Sequence, residues 1–474
     1  MTDVQEKTPQ LGLRPPLDAW SASAVAVDVA LASHAGAEAL AGRRARRLAD
    51  LLASAARHSP LYRRLLDGCD PASLHLDDMP VMRKAELMGQ FDEWVADPDL
   101  SILALRRFVA DGTRIAEPFL GRYVVWESSG STGEPGIFVQ DVAAMAAYDA
   151  LEALRRPVLR PLQRLMDPWS LGERIAFVGA IGGHFASTVS IERLRRLNPA
   201  LSGRLHMVSF LQPIDAMVAQ LNAIAPTVIA TYPSAAVLLA EEHMGGRLRA
   251  SPREVWTGGE DLSAAKREFV RQAFGCPVAN NYGASEFLPL ASECERGFLH
   301  LNSDWVILES VDDRGQAVPD GQAGATTLLT NLANHVQPLI RYDLGDRVTR
   351  HAHACACGSP LPVIEVQGRS DDTLRLGRAG SRAVSVLPLA LSTVLEQDAG
   401  LFDFQLVQQG PCKLLLRTGL RGAAAELALQ RARHMLGAFL ETQGAVGVSI
   451  HCRSGEAGRV GRSGKVQRVV AGPT

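Results

Sequence analysis

The apolar positions of this chain change spacing several times, and each change predicts a different kind of element. Residues 1–20 are polar and Pro-containing, which predicts a loose arm. Over 37–66 apolar residues recur at helical spacing and stop at Gly68. The run Tyr123-Val124-Val125-Trp126 reads as a strand leading into the Gly/Ser/Thr-rich stretch ESSGSTGEPG. Beyond it, helical and extended patterns alternate. Asp141 is placed to cap an Ala-rich helix over 142–155, and helices over 213–224 and 235–243 flank a short buried strand over 227–230. A strand over 254–256, a helix over 263–274 closing at Gly275 and a strand over 277–279 continue the series. Alternation of this kind predicts parallel sheets wrapped by helices, which bind ligands beyond the carboxyl ends of their strands.

After about residue 300 the pattern lengthens. Strands over 300–311 and 325–332, joined by the turn-rich DDRGQAVPDGQAG, predict a small antiparallel subdomain. Beyond GRSDD (368–372) it changes again: a hairpin over 402–407 and 413–418 around Gly410-Pro411, an amphipathic helix over 423–440 and a strand over 446–452 predict a compact α+β unit. The expected architecture is therefore α/β: an arm over 1–20, a large domain over 21–369 with helix-wrapped sheets and the antiparallel subdomain, and a small α+β domain over 370–474. No internal repeat or long low-complexity run interrupts it.

Composition narrows the functional classes. The chain has 474 residues, 47% of them apolar and 21% charged, enough for a large core and more than one domain. A formal net charge of -2 does not favour nucleic acid, and the clusters Arg43-Arg44-Arg46-Arg47 and Arg193-Arg195-Arg196 read as solvated helix faces. No apolar run reaches the ~18 residues of a membrane span, and MTDVQEKTPQ lacks the features of an export signal; the expectation is a cytoplasmic protein without a membrane partner. Seven Cys at irregular spacing do not make a disulfide framework.

Ser129, Gly130, Ser131, Thr132 and Gly133 follow a strand with unobstructed backbone N–H groups and several hydroxyls, a composition that can wrap a polyphosphate. The spacing is not that of a Walker loop, and an ordinary surface turn has the same composition. Four further segments decide the matter. SSGSTGEP, NNYGASE (280–286), RYDLGD (341–346), GRSDD and GRSGKVQR (461–468) occur in the order of the phosphate loop, adenine and metal motif, ribose motif, hinge and catalytic-lysine segment of the adenylate-forming enzymes. The chain resembles that superfamily over nearly its whole length. SPLYRRLLDG, MPVMRKAEL, PSAAVLLAE and GRSDDTLRL are most similar to phenylacetate-CoA ligases and to synthetases that nucleotidylate a deazaflavin coenzyme.

The resemblance implies roles that the chemistry supports. Attack of a carboxylate on an α-phosphate brings anion to anion, so charge must be screened and the groups held in line. Ser129–Gly133 would cradle ATP, Glu286 would hold Mg²⁺, and Lys465 would neutralise charge as the adenylate forms. In NNYGASE, Tyr282 is expected to stack on adenine with Gly283 and Ser285 beside it, while Gly259 and Glu260 belong to the segment bordering that base. Asp346 would accept both ribose hydroxyls, Arg369 would contact ribose and phosphate, and Asp371 matches the hinge; Asp343 is expected to stay structural. The segment over 177–184, Phe177 to His184, is expected to border the acid pocket, although glycines that pack helices have the same pattern. The partners implied are a small-molecule carboxylic acid, aromatic or arylacetic, then CoA, a carrier protein, an amine or a coenzyme as acceptor, with a homodimer as an expected assembly.

Two features stand apart. Cys294 with His300, and Cys355 with Cys357, have the donor types of a structural Zn²⁺ site, with His351 or His353 as substitute ligands; four unrelated side chains is the alternative. Cys69, Cys276, Cys412 and Cys452 read as ordinary thiols. Departures from the family pattern are also plain: Gly136 stands where a lysine usually follows the phosphate-loop Pro, and residues 374–397 have a lengthened Arg-rich turn, Leu387-Pro388 for Phe-Pro and Ser392 at a usual Glu position. Activation of an acid is thus better supported than transfer to CoA, and a nucleotide-binding module without catalysis is disfavoured by the joint presence of Glu286, Asp346 and Lys465.

Overall fold

A computed structural model describes residues 16–68, 74–128, 135–167, 172–312, 314–367, 373–377, 383–401, 403–456 and 468–471. A helix, Ala19–Ala32, already begins within the expected arm, capped by Asp18, which accepts from the Trp20 N–H at 3.0 Å. The helical pattern over 37–66 divides into Ala37–His58 and Pro60–Leu65. Proline is the cause: it forces Ser59 out of the helical region, and Ser59 Oγ instead donates to the Trp94 carbonyl at 2.8 Å. β1 (Val124–Glu127) and β2 (Ile137–Gln140) form an antiparallel hairpin, followed by the helix Val142–Leu154, whose cap Asp141 accepts from the Ala144 N–H at 2.8 Å.

The main sheet contains β3 (Ile175–Gly179), β4 (Leu205–Ser209), β5 (Val228–Thr231), β6 (Glu254–Gly258), β7 (Val278–Ala284), β8 (Phe287–Glu293) and β9 (Leu299–Leu301). β10 (Val306–Val311), β11 (Thr326–Asn331) and β12 (Tyr342–Asp343) form a separate three-stranded sheet, whereas β13 (Arg347–Arg350) and β14 (Val363–Gln367) return to the main one. Its order is β13-β14-β9-β8-β7-β6-β5-β3-β4. Pairing is parallel from β4 to β7, as the alternating pattern predicts, and antiparallel from β7 to β13. Thus the antiparallel strands both extend the parallel sheet and build a smaller one. The run over 300–311 breaks where Asn302 and Asp304 turn the chain between these sheets: the Trp305 N–H bonds to the Asn302 carbonyl at 2.9 Å, and buried Asp304 holds Arg155 through two hydrogen bonds of 2.6 and 2.8 Å.

Three members of the arginine clusters, Arg43, Arg47 and Arg193, are not solvated as expected, whereas Arg46 is exposed and Arg195 and Arg196 pair with Glu192 on their own helix. Arg47 pairs with Asp28 and Asp304 and lies 3.5 Å from the Trp305 ring centroid, Arg43 pairs with Asp28, and buried Arg193 is held by both Asp149 oxygens. A charge that finds a fixed carboxylate can pack its apolar stem on neighbouring elements, so these residues fasten helices. No helix among the described residues is long and apolar enough to cross a membrane.

After β14 come the hairpin of β15 (Leu374–Leu376) and β16 (Val384–Val386), the helix Pro388–Thr393 and a π-helical turn, Val394–Asp398. β17 (Gln405–Gly410) and β18 (Lys413–Arg417) form the expected hairpin, bulged at Gln408. The helix Ala423–Thr442, β19 (Ser449–Arg453) and β20 (Val469–Val470) complete an α+β unit with sheet order β19-β18-β17-β20. Leu387, Leu391, Leu395, Leu406 and Leu436 share one buried core with Val178 of β3, Phe210 just after β4 and Leu238 on the helix Pro233–Met244. This core sets the C-terminal unit beside the carboxyl ends of the parallel strands.

Candidate active site

The site grows from the turn between β7 and β8. Backbones approach so closely there that a Cβ on Gly283 would lie 2.0 Å from the Leu288 carbonyl oxygen, so only glycine fits. Two buried side chains pin the turn: Trp126 Nε1 donates to the Ser285 carbonyl at 2.8 Å, and Asn331 Nδ2 to the Glu286 carbonyl at 3.0 Å. The Glu286 carboxylate accepts from the Tyr342 hydroxyl at 2.9 Å, and Tyr282 donates to Asp346 Oδ2 at 3.0 Å. Residues from NNYGASE and RYDLGD, some sixty positions apart, are thereby interlocked. Burial raises the Glu286 pKa, countered in part by the Tyr342 hydrogen bond and the charge of Lys84. Burial also pushes the Tyr282 and Tyr342 phenols well up, so both stay hydroxyl donors.

Asp343 Oδ1 accepts from the Gly345 N–H at 2.9 Å and from Thr326 Oγ1 at 2.5 Å. Gly259 occupies a positive φ of 78° against the Tyr232 ring at the end of β6. Glu260, beside it, accepts from both the N–H and the hydroxyl of Ser234 at 2.9 Å, in the first turn of the helix Pro233–Met244. Ser129, Gly130, Ser131, Thr132, Gly133, Arg369, Asp371 and Lys465 lie outside the described residues. The base of the phosphate-loop turn is described: the Ser128 N–H bonds to the Gly136 carbonyl at 2.8 Å, and the Gly136 N–H to Ser128 Oγ at 2.9 Å.

These groups line one cavity of about 1920 Å³, which runs from Lys84 and Glu286 past Asp346 and Gly259 to Ser392 and Arg468 of the C-terminal unit. It exceeds the ~300–1,000 Å³ of a pocket for one small ligand. Sequence reasoning did not find Lys84. Backbone hydrogen bonds from the Met82 N–H to Arg341 at 3.0 Å and from the Asp343 N–H to Met82 at 2.9 Å stitch MPVMRKAEL to β12. Lys84 then lies across Gly136, with its Cδ 3.2 Å from where a Cβ of that glycine would be. Its charge stands in the neighbourhood of the lysine the loop lacks. Glu127 was missed too; burial and the charge of Glu396 push it up to about 7.

On another edge of the sheet, the donor atoms of Cys294, His300, Cys355 and Cys357 all lie within 4.8 Å of one another. Antiparallel pairing of β8, β9 and β14 brings the first pair beside the second. Cys294 Sγ and Cys355 Sγ are 3.9 Å apart, close to the edge of about 3.8 Å that a tetrahedron with ~2.3 Å zinc–sulfur bonds requires. His300 Nδ1–H donates to the Leu361 carbonyl at 2.8 Å, which fixes Nε2 as the free nitrogen 3.4 Å from Cys357 Sγ. His351 faces Glu365 and the His353 ring instead, so neither substitute is needed. Burial pushes the Cys276 thiol up to about 11, in keeping with an inert thiol.

Acidic and tyrosyl groups thus interlock in a large cleft at the carboxyl ends of parallel strands, covered by an α+β unit, and residues 197–327 match the family described as AMP-binding enzyme. The chain is similar to phenylacetate-coenzyme A ligase of Thermus thermophilus, at 28% identity over 368 residues covering 74% of this chain and 73% of the relative. It also matches protein CapK of Staphylococcus aureus, 29% identical over 101 residues, 21% of either chain. The fold is shared with 2-hydroxyisobutyryl-CoA ligase in complex with 2-HIB-AMP and CoA in the thioesterification state: TM-score 0.54, 19% identity, 100% of this chain and 95% of that one.

Proposed function

We propose that this ligase activates an aromatic or arylacetic carboxylic acid with ATP and then transfers the acyl group to CoA. The observation that carries the reading is the convergence of Glu286, Asp346, Tyr282 and Lys84 on one cleft. The acid's carboxylate oxygen attacks the α-phosphorus, the bond to pyrophosphate breaks, and an acyl-adenylate remains. Sulfur of CoA then attacks the acyl carbon, and the bond from that carbon to AMP breaks.

Asp346 accepts the ribose hydroxyls, held in place by Tyr282, whose ring borders the base with Gly259, Gly283 and Ser285. Glu286 is a hard oxygen donor, half-buried, with its pKa raised by desolvation, and fits Mg²⁺, which when bound screens the phosphate charge. Residues 129–133 cradle the phosphates, and Lys465 enters with the C-terminal domain over 370–474, which turns about Asp371 between half-reactions while Arg369 grips ribose and phosphate. Phe177, Phe185 and Tyr232 line the cleft and give the acid end an aromatic wall. The Cys/His group holds a structural Zn²⁺.

One observation favours a different acceptor. Ser392, Thr393 and Glu396, in the segment that departs from the family pattern, themselves line the cleft, so an amine, a coenzyme or a carrier protein in place of CoA is the second reading. ATP–pyrophosphate exchange over a panel of carboxylates, followed by mass analysis with and without CoA, tests both. Exchange is expected with aryl acids and is expected to vanish in Lys465→Ala with ATP binding retained. Absence of exchange with every acid of the panel would refute adenylation, and adenylate accumulation without thioester would favour the second reading.

A further inference from the structure

Glu127 stands where two walls of the cleft meet. It is the last residue of β1, and Ser128 next to it bonds through its N–H to the Gly136 carbonyl, bracketing in sequence the residues expected to hold the phosphates. Its N–H donates to the His184 carbonyl at 2.8 Å and its backbone bridges Phe185, fastening it to the wall expected to border the acid. Its carboxylate therefore enters the cleft between the place of the phosphates and the aromatic wall.

The C-terminal unit faces it with the π-helical turn Val394–Asp398. Glu396 on that turn pairs with Arg468, which lies 3.9 Å from the Phe404 ring centroid. Gln397 rests on the bare Cα of Gly183, where a Cβ would come within 2.8 Å of its amide nitrogen. A π-turn often marks a functional site, and this one fits two polar side chains against the acid wall. Arg468 pairs with Glu396 and not with Glu127, so the two carboxylates and one guanidinium leave a formal charge of −1. Among the described residues no side chain donates to the Glu127 carboxylate. Burial and the charge of Glu396 raise its pKa to about 7, as expected of a carboxyl that lacks a cationic partner.

We propose that Glu127 is a specificity-determining residue that receives a primary amine of an organic substrate, with the Glu396–Arg468 pair forming the opposite side of the subsite. The amine belongs either to the acid being activated or to the acceptor of the acyl group. This rests on the adenylation reading and extends it, because it names a group the substrate must carry.

Two assays separate the sources. In ATP–pyrophosphate exchange, matched pairs of acids, each aryl acid with its aminomethyl-substituted twin, report an amine on the acid. In product formation from one fixed acid, matched acceptors with and without a primary amine report an amine on the acceptor. The proposal expects a kcat/KM ratio favouring the amine-bearing member in one assay by about 10- to 100-fold, the scale of a charge-assisted hydrogen bond. That ratio should collapse in Glu127→Gln and recover in part in Glu127→Asp. Should Glu127→Gln fail to fold, the wild-type ratios alone decide. Ratios near one in both assays, or a preference that Glu127→Gln leaves unchanged, overturn the proposal while leaving adenylation intact; no exchange with any acid would instead remove the reading on which it rests.

Discussion

Lys84→Met is the substitution that asks most of the site. Methionine keeps the apolar stem that lies against Gly136, with Lys84 Cδ 3.2 Å from the position of the missing Cβ, and removes only the ammonium. Lys84 is partly exposed, so packing loss should be small. The electrostatic loss should not be. Two unit charges 4 Å apart interact by about 4 kcal/mol at an effective dielectric of ~20, which bounds what the ammonium can contribute to a pentavalent phosphorus bearing extra charge. Removing one preorganised group that stabilises transition-state charge costs about 10²–10³ in kcat. ATP–pyrophosphate exchange in Lys84→Met should therefore fall by roughly that factor, with the thermal midpoint nearly unchanged. A second signature follows from Glu286, whose pKa the Lys84 charge lowers. If ionised Glu286 is needed for metal binding, the acid limb of the pH–rate profile should move to higher pH in the variant. A third is rescue: Gly136 lies outside the left-handed region, so Gly136→Lys in the Lys84→Met background should restore part of the rate, with the Phe138 ring, 3.0 Å from the new Cβ, yielding slightly. Wild-type exchange in Lys84→Met, or an unmoved acid limb with no rescue, would refute the assignment of Lys84 to the phosphates.

Two further outcomes are expected. Glu286→Gln should abolish Mg²⁺-dependent exchange yet raise the thermal midpoint of the ligand-free protein near neutral pH. The folded pKa lies above the ordinary carboxyl value, so the stability this group contributes is present at low pH and is lost as pH rises through the folded pKa, and glutamine removes that loss; a lower midpoint at pH 7 would contradict the burial argument. Purification without chelators should yield about one zinc per chain, and Cys355→Ser with Cys357→Ser should eliminate it and lower stability by several kcal/mol, read by metal analysis and by melting. Full stability with no metal in the wild type would make the four side chains a coincidence of packing.

Elements whose reasons are local were legible in the sequence. Asp141 and Ser263 cap the helices placed after them, and Gly275 closes the second in the left-handed region, because hydrogen bonds within four residues decide such ends. The strand over 300–311 was not legible as two, since its break depends on Asp304 reaching Arg155, about 150 positions away in sequence. Arg43, Arg47 and Arg193 were misread for the same reason: a charge run reads as solvated until the fold supplies Asp28, Asp149 or Asp304. At the site, motifs announced Glu286, Tyr282 and Asp346 because their spacing is short and fixed. Glu260 carries a motif signal too, while its hydrogen bonds to Ser234 are visible only in three dimensions.

Lys84 and Gly136 show why the unread part is the informative part. In sequence they are two separate facts, a lysine in MPVMRKAEL and a glycine where a lysine is usual. The main-chain pairing of Met82 with Arg341 and Asp343 turns them into one fact, a cation brought from another segment to the side of the turn from which one is missing. A role defined by charge at a position is indifferent to the segment that delivers it, whereas a motif records only one way of delivery. Glu127 follows the same logic with the opposite sign. Its neighbour across the cleft comes from residues 388–398, where the family pattern is least kept, and what reads along the chain as a loss of signal reads across the cleft as a second wall. The selectivity of this enzyme should accordingly depend on contacts between its two units as much as on the motifs within either.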